Sequence, residues 1–350
     1  MTQTTRYARV LPKMGSERSK LLSENKIKAL SESKNASDVA AQLRDTAYQE
    51  QISHLEAPLT GRKLERAYFE NLIETYLKII KYAPERANRY LNIYLQRLEA
   101  ENVKTLVRTA QANLPTEQRL AKVYLSVEKY LDKTELIEDA AKAQGISQVA
   151  AVFKGTEYGP ALAEGLKRYE ETGSTTSMDI FIDTLFYEKL YAAYKSLPRR
   201  ERPHAKFYAS LENDSFILLT LLRGKNLGYD PNWLRMAVPR CYFNLTKEQV
   251  ESIVSALNFE AAYKIVQGSH YAKYFEHKAT PEETIGTAEK NFKKAVLTYA
   301  KKKYIREIFN VGSTLIFITL KEVEVHNLTA LTLGVEAGMK SEVIRNQLLL

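Results

Sequence analysis

Three carboxylates, Glu99, Asp214 and Glu324, recur at separations of 115 and 110 residues, and no other acids in the chain repeat by position. Glu99 and Glu324 each stand three residues before an asparagine, Asn102 and Asn327, which on a helix puts acid and amide on one face. The second copy carries Ile217 where the others carry Asn, so a common hydrogen bond is in doubt there. Arg108 and Arg223 follow the first two acids, and Leu333 takes the same place in the third. Paired or poised carboxylates are the usual groups for general acid–base work, yet an enzyme seldom needs one carboxylate in three equivalent places. The spacing points instead to a hydrogen bond or ion pair that fixes each helical hairpin. Arg108 and Arg223 are the candidate partners, and a bond to the nearby Asn is the plainer alternative.

A second block recurs in the same order: Val39 to Tyr48, Val149 to Tyr158, and Ala262 to Tyr271. Each reads as a short helix, then a small hydroxyl residue and a tyrosine two places on: Thr46 with Tyr48, Thr156 with Tyr158, Ser269 with Tyr271. Asp45, Gly155 and Gly268 hold the equivalent turn position, where a helix C-terminus favours glycine. Two blocks repeating in one order at nearly one spacing predict a threefold internal repeat.

Other chemistry is thin. His270 and His277 could share a helical face, but no cysteine or acid stands at ligand spacing, so no metal site is read. Cys241 follows Arg240, yet no histidine lies near it in sequence, and a buried, inert thiol is the expectation. Gly224-Lys225 is followed by Asn226 and lacks the upstream glycine of a phosphate-binding loop. No catalytic residue, cofactor or metal is predicted.

The elements that must position these residues are helices. Only 14 Gly and 10 Pro in 350 residues argue for long helices and an all-α fold. Leu64, Tyr68, Leu72, Ile73, Tyr76, Leu77 and Ile80 trace one apolar stripe; Met178, Phe181, Ile182, Leu185, Tyr191 and Tyr194 a second; Phe292, Ala295, Val296, Tyr299 and Tyr304 a third. Breaks fall at Pro84, at Leu197-Pro198 and near Asn310 to Gly312, each followed by a second long helix. Thr246 to Gln249 and Thr280 to Glu283 read as helix N-termini. The predicted repeats are 1–118, 119–235 and 236–350, arranged as a closed pseudo-threefold ring or funnel, with an open solenoid as the alternative. Val311 to Leu320 is too short an apolar run to span a bilayer. The polar start, Met1 to Thr5, is not a secretory signal, and one cysteine suits a reducing cytoplasm. The net charge of +9 raises a nucleic-acid reading. Its densest stretch, Lys293, Lys294, Lys301, Lys302, Lys303 and Arg306, reads instead as one solvated helical face.

At these blocks the chain resembles the C subunit of archaeal-type ATP synthases, equivalent to the d subunit of the vacuolar proton pump. The resemblance runs from about residue 6 to 350. It is carried by Tyr7-Ala-Arg9-Val10 with Leu21-Leu22, by Leu43 to Tyr48, and by Lys321 to Leu328 with Ile344 to Leu348. It implies a funnel of three similar helical domains that turns nothing over. Such a protein sits peripherally on the cytoplasmic face of the membrane, binds the proteolipid ring and receives the foot of the central shaft. It passes torque between them as a monomer within a hetero-oligomeric complex, for ion-driven ATP synthesis or ATP-driven pumping. The alternatives are a basic helical scaffold that binds nucleic acid and a helical enzyme with an unrecognised site.

Overall fold

The computed structural model describes residues 7–304 and 308–350, and among them every regular element is a helix. Arg306 lies outside the described residues. In chain order the α-helices are α1 Val10–Arg18, α2 Glu24–Leu30, α3 Ala36–Gln42, α4 Gln49–Ser53 and α5 Gly61–Tyr82. Next come α6 Glu85–Gln111, α7 Thr116–Leu120, α8 Leu125–Leu131, α9 Thr134–Lys142, α10 Gly145–Val152, α11 Gly159–Thr172 and α12 Thr176–Ser196. The remainder are α13 Arg202–Asn226, α14 Pro231–Met236, α15 Lys247–Ser255, α16 Phe259–Gln267, α17 Pro281–Lys303, α18 Val311–Glu336 and α19 Ser341–Gln347. The boundaries follow the sequence signals. Pro84 separates α5 from α6, Leu197-Pro198 separates α12 from α13, and the Asn310 side chain caps α18 through Gly312 N at 2.8 Å. Thr246 and Gln249 make a reciprocal capping box on α15, and Thr280 Oγ1 accepts from Glu283 N at 3.2 Å on α17.

Two compact units form. One joins the described residues up to Asn88 with Lys293–Leu350; the other is Arg89–Phe292. In the first, α5 and α18 run against each other. Tyr68 Oη and Thr332 Oγ1 lie 3.1 Å apart, and Gly61 N donates to Glu336 Oε1 at 2.8 Å. The stripe predicted on α5 is the buried one, with Leu64, Tyr68, Leu72, Ile73, Tyr76 and Ile80 inside. The apolar run at the start of α18 is buried from Val311 through Thr319, the pattern of a helix surrounded by protein. None of the described helices is long and apolar enough to cross a membrane.

In the second unit the core gathers Val103, Leu106 and Val107 of α6, Ile137 of α9, Val149 of α10, Leu162 of α11, and Met178 and Ile182 of α12. Helices α11 and α12 approach so closely at Gly165 that a Cβ there would sit 2.5 Å from Met178 Cγ. The third predicted stripe is only partly inside. Phe292 is buried, Ala295, Val296, Tyr299 and Tyr304 are half-buried, and Leu297 and Ala300 are buried in their place. The lysines Lys293, Lys294, Lys301 and Lys302 are exposed on α17, as a solvated face requires.

Candidate functional site: three tyrosine–carboxylate junctions

The hydroxyl at each corner is a turn-former. Thr46 Oγ1 donates to Leu43 O at 2.6 Å and accepts from Tyr48 N at 3.3 Å. Thr156 does the same to Phe153 O at 2.7 Å and from Tyr158 N at 3.2 Å, and Ser269 Oγ accepts from Tyr271 N at 3.2 Å. A short hydroxyl side chain bonding the backbone two residues on is a standard turn device, and here it aims the tyrosine ring inward. All three tyrosines are buried. Asp45, Gly155 and Gly268 do stand in the turn that closes α3, α10 and α16, but not in the left-handed conformation that favours glycine. Gly268 has φ −88°, and neither Gly155 nor Asp45 has a positive φ. The turn closes on a right-handed i→i+3 bond, such as Thr156 N to Phe153 O at 2.9 Å, so the left-handed conformation is not needed.

Each corner tyrosine meets one of the recurring acids. Tyr48 Oη donates to Glu324 Oε1 at 2.6 Å, and Tyr271 Oη donates to Asp214 Oδ2 at 2.8 Å. Tyr158 lies beside Glu99, whose charge is the second cause, after burial, that raises its phenol pKa. Burial and then the neighbouring carboxylate likewise raise Tyr48 and Tyr271. Each phenol therefore stays a neutral donor to an anion, the stronger class of hydrogen bond.

The three anions are compensated differently. Glu324 takes the Lys321 ammonium at 2.8 Å, and Lys321 also donates to Tyr48 Oη at 2.8 Å and lies 4.2 Å from that ring's centre. Leu22 N donates to the other oxygen of Glu324. The side chains of Lys321 and Glu324 are each only 4% exposed. Burial pulls the Lys321 pKa down, and Glu324 opposes that pull. Asp214 instead accepts three backbone N–H groups, from Phe243 at 3.2 Å, Asn244 at 2.8 Å and Leu245 at 3.2 Å, and the Asn213 amide at 2.9 Å. Glu99 takes Lys133 at 2.6 Å.

The arginines do not serve these acids. Arg108 pairs with Asp179 at 2.9 Å and Arg223 with Glu289 at 2.6 Å. At about 100° per residue, nine residues put the arginine on the opposite side of the helix from its acid. The asparagines do not bond the acids either. Asn102 clamps one peptide unit, accepting from Tyr124 N at 2.7 Å and donating to Tyr124 O at 3.1 Å. Asn327 holds Leu349 in the same two-way manner, 2.8 Å for each bond. Both clamps reach 22 residues downstream. The residue 22 after Ile217 is Pro239, which has no N–H to give, so an Asn at 217 would find half of its clamp missing. Asn213 donates instead to Cys241 O at 2.9 Å.

After α6, α13 and α18 the chain turns through a left-handed residue: Asn113 (φ 51°), Gly228 (φ 74°) and Gly338 (φ 70°). The following residue closes a wide backbone bond, Leu114 N to Thr109 O at 3.1 Å, Tyr229 N to Gly224 O at 2.9 Å, and Met339 N to Gly334 O at 2.9 Å. A short helix, α7, α14 or α19, then begins.

The tyrosines and acids read from the sequence meet one another, whereas Lys133 and Lys321, which complete two of the junctions, are not among the residues it singles out. Lys321 had a signal: a cation closing an apolar run, one helical turn before a recurring acid. Cys241 is buried, and burial pushes its thiol up to about 12, as an inert thiol requires. His277 lies 3.4 Å from Glu260, and the described residues hold no group of three His, Cys, Asp or Glu side chains arranged for a metal.

The sequence matches the family described as ATP synthase (C/AC39) subunit over residues 12–347. It is similar to the C subunit of the A-type ATP synthase of Methanocaldococcus jannaschii, 26% identical over 350 residues that cover 98% of this chain and 86% of that protein. The protein of that name from Thermococcus kodakarensis is 22% identical, with 93% of this chain and 86% of the relative covered. That from Methanothermobacter thermautotrophicus is 24% identical, covering 81% and 74%.

Proposed function

The chain belongs to the ATP synthase (C/AC39) subunit family, and we propose that it is the central-stalk adaptor joining the membrane proteolipid ring to the central shaft of such a complex. It is an accessory rather than a catalytic component of a membrane-associated complex, and it partners other subunits there. The observation that carries the proposal is the match across residues 12–347. We place the adaptor peripherally, on the cytoplasmic face, where it transmits torque during ion-driven synthesis or ATP-driven pumping.

The proposal includes a threefold repeat, 1–118, 119–235 and 236–350, whose copies form the walls of a funnel. Its support is local. The left-handed turn residues 113, 228 and 338 fall at the spacing of the acids 99, 214 and 324, as do the starts of α7, α14 and α19 at 116, 231 and 341. In this reading the packed junctions are out of step with the covalent repeats. Glu99 of the first meets Tyr158 of the second, Asp214 of the second meets Tyr271 of the third, and Glu324 of the third returns to Tyr48 of the first. A body that carries torque benefits from such cross-ties, because each copy is locked by the next.

The nucleic-acid alternative gains no support from the relatives and is dropped. The test is co-expression with the shaft and proteolipid subunits of the same source, then pull-down and size-exclusion in mild detergent. Co-elution with both is expected; failure to bind either folded partner overturns the reading.

A further inference from the structure

Glu128 of α8 is a fully buried carboxyl group, 0% exposed, and no cation pairs with it among the described residues. Its Oε1 accepts from Asn102 Nδ2 at 2.7 Å, while its Oε2 is buried without a hydrogen-bond partner among the described residues. Asn102 stands one helical turn beyond Glu99, so α6 brings a second acid to the same place. The groups facing Glu128 are Glu99 and Asn102 from α6, Lys133 from the segment after α8, and Tyr158 from the corner before α11. Lys133 is committed elsewhere, at 2.6 Å to Glu99 and 3.4 Å to Glu157, and Glu157 is shared with Lys189 at 2.7 Å. The partly exposed Lys133 ammonium thus answers to Glu99 and Glu157, and Glu128 feels it only at longer range. An uncompensated anion in a water-free site is far more costly than a neutral acid. The matching clamp residue Asn327 bonds Leu349 in both directions, and no bond from its amide to an acid is seen among the described residues.

We propose that Glu128 is a proton-binding site, and that its protonation sets how firmly α8 is held against α6. With the proton bound, Glu128 is a neutral acid whose Oε1 still accepts from Asn102 while the buried Oε2 carries the proton. With the proton lost, two anions compete for Lys133 and the Tyr124 clamp loosens. Burial is the main cause that raises the Glu128 pKa from 4.5 to about 7, with Glu99 adding to it and Asn102 and Lys133 opposing. The folded value lies above the unfolded one. The stability this group contributes is therefore complete below the ordinary glutamate pKa and is lost as pH rises through the folded value.

The test uses the full chain and its Glu128→Gln variant, in which the amide imitates the protonated acid. Thermal midpoints are measured from about pH 5 to about pH 8, the window around a raised glutamate pKa. The wild type is expected to lose stability across that window relative to Glu128→Gln, which keeps a flatter profile. Carboxyl NMR of glutamate-labelled wild-type protein, with Glu128 assigned through Glu128→Asp, reads the proton directly and does not depend on the Gln variant folding. A midpoint near neutrality supports the site. A Glu128 carboxyl that titrates as an ordinary exposed glutamate, or parallel pH profiles for the two proteins, overturns it.

Discussion

Tyr48 and Glu324 lie 276 residues apart in the chain and share a 2.6 Å hydrogen bond inside the protein. Lys321 donates to both, so phenol, carboxylate and ammonium form one buried triad that ties the corner before α4 to the middle of α18. Removing one member of a buried pair strands the other charge, which costs more than the pair itself contributes. Glu324→Gln is therefore expected to destabilise the first unit by about 3–5 kcal/mol. Lys321→Met combined with Glu324→Gln should recover much of that loss, as a urea-denaturation double-mutant cycle will read. Equal losses in the single and double variants would contradict the assignment.

Tyr48→Phe removes a donor to one anion and an acceptor for one cation. A loss of about 1.5–3 kcal/mol is expected, the range for hydrogen bonds to charged groups. Tyr271→Phe should cost less, because Asp214 keeps three backbone N–H donors. Thermal unfolding of the two variants side by side gives the order.

Asn327→Ala breaks both bonds of the Leu349 clamp and should cost about 2 kcal/mol, near 1 kcal/mol per hydrogen bond. Ile217→Asn should not gain the equivalent stability. Pro239 has no N–H, and the new amide would replace a fully buried aliphatic chain. A stabilised Ile217→Asn variant would show that the register drawn from 102, 217 and 327 is wrong.

Asn113→Gly should stabilise by up to about 1 kcal/mol, since glycine adopts its positive φ without side-chain strain. Gly334→Ala should do the reverse, because its Cβ would meet Ile344 Cγ1 at 2.9 Å and overpacking costs about 1–3 kcal/mol. Denaturant midpoints measured on both variants check the pair.

Cys241 should not react with a thiol reagent such as Ellman's reagent near neutral pH in the native protein. Burial pushes its thiol up to about 12, which leaves almost no thiolate near neutral pH. Reaction should appear together with unfolding, and rapid labelling of folded protein would contradict the burial.

Much of the local structure was legible because it is set by near neighbours. The helix breaks at Pro84 and Pro198, the Thr246–Gln249 capping box and the buried stripe of α5 follow from residues within a turn or two of one another. So did the recurring residues themselves, since spacing survives in a single sequence. What spacing could not say is which tyrosine meets which acid. The guess that Arg108 and Arg223 serve the acids used sequence proximity, and helical geometry sends them to the far side.

The sequence by itself determined that the chain is helical, where its long helices begin, which residues recur, and its family. Only the tertiary structure decided that Glu324 answers to Tyr48, that Asp214 is compensated by backbone N–H groups, and that Glu128 has no paired cation among the described residues. The reason is physical. Helix formation is decided over a few residues, whereas compensating a buried charge depends on whatever group packing brings within about 3 Å, the reach of a hydrogen bond.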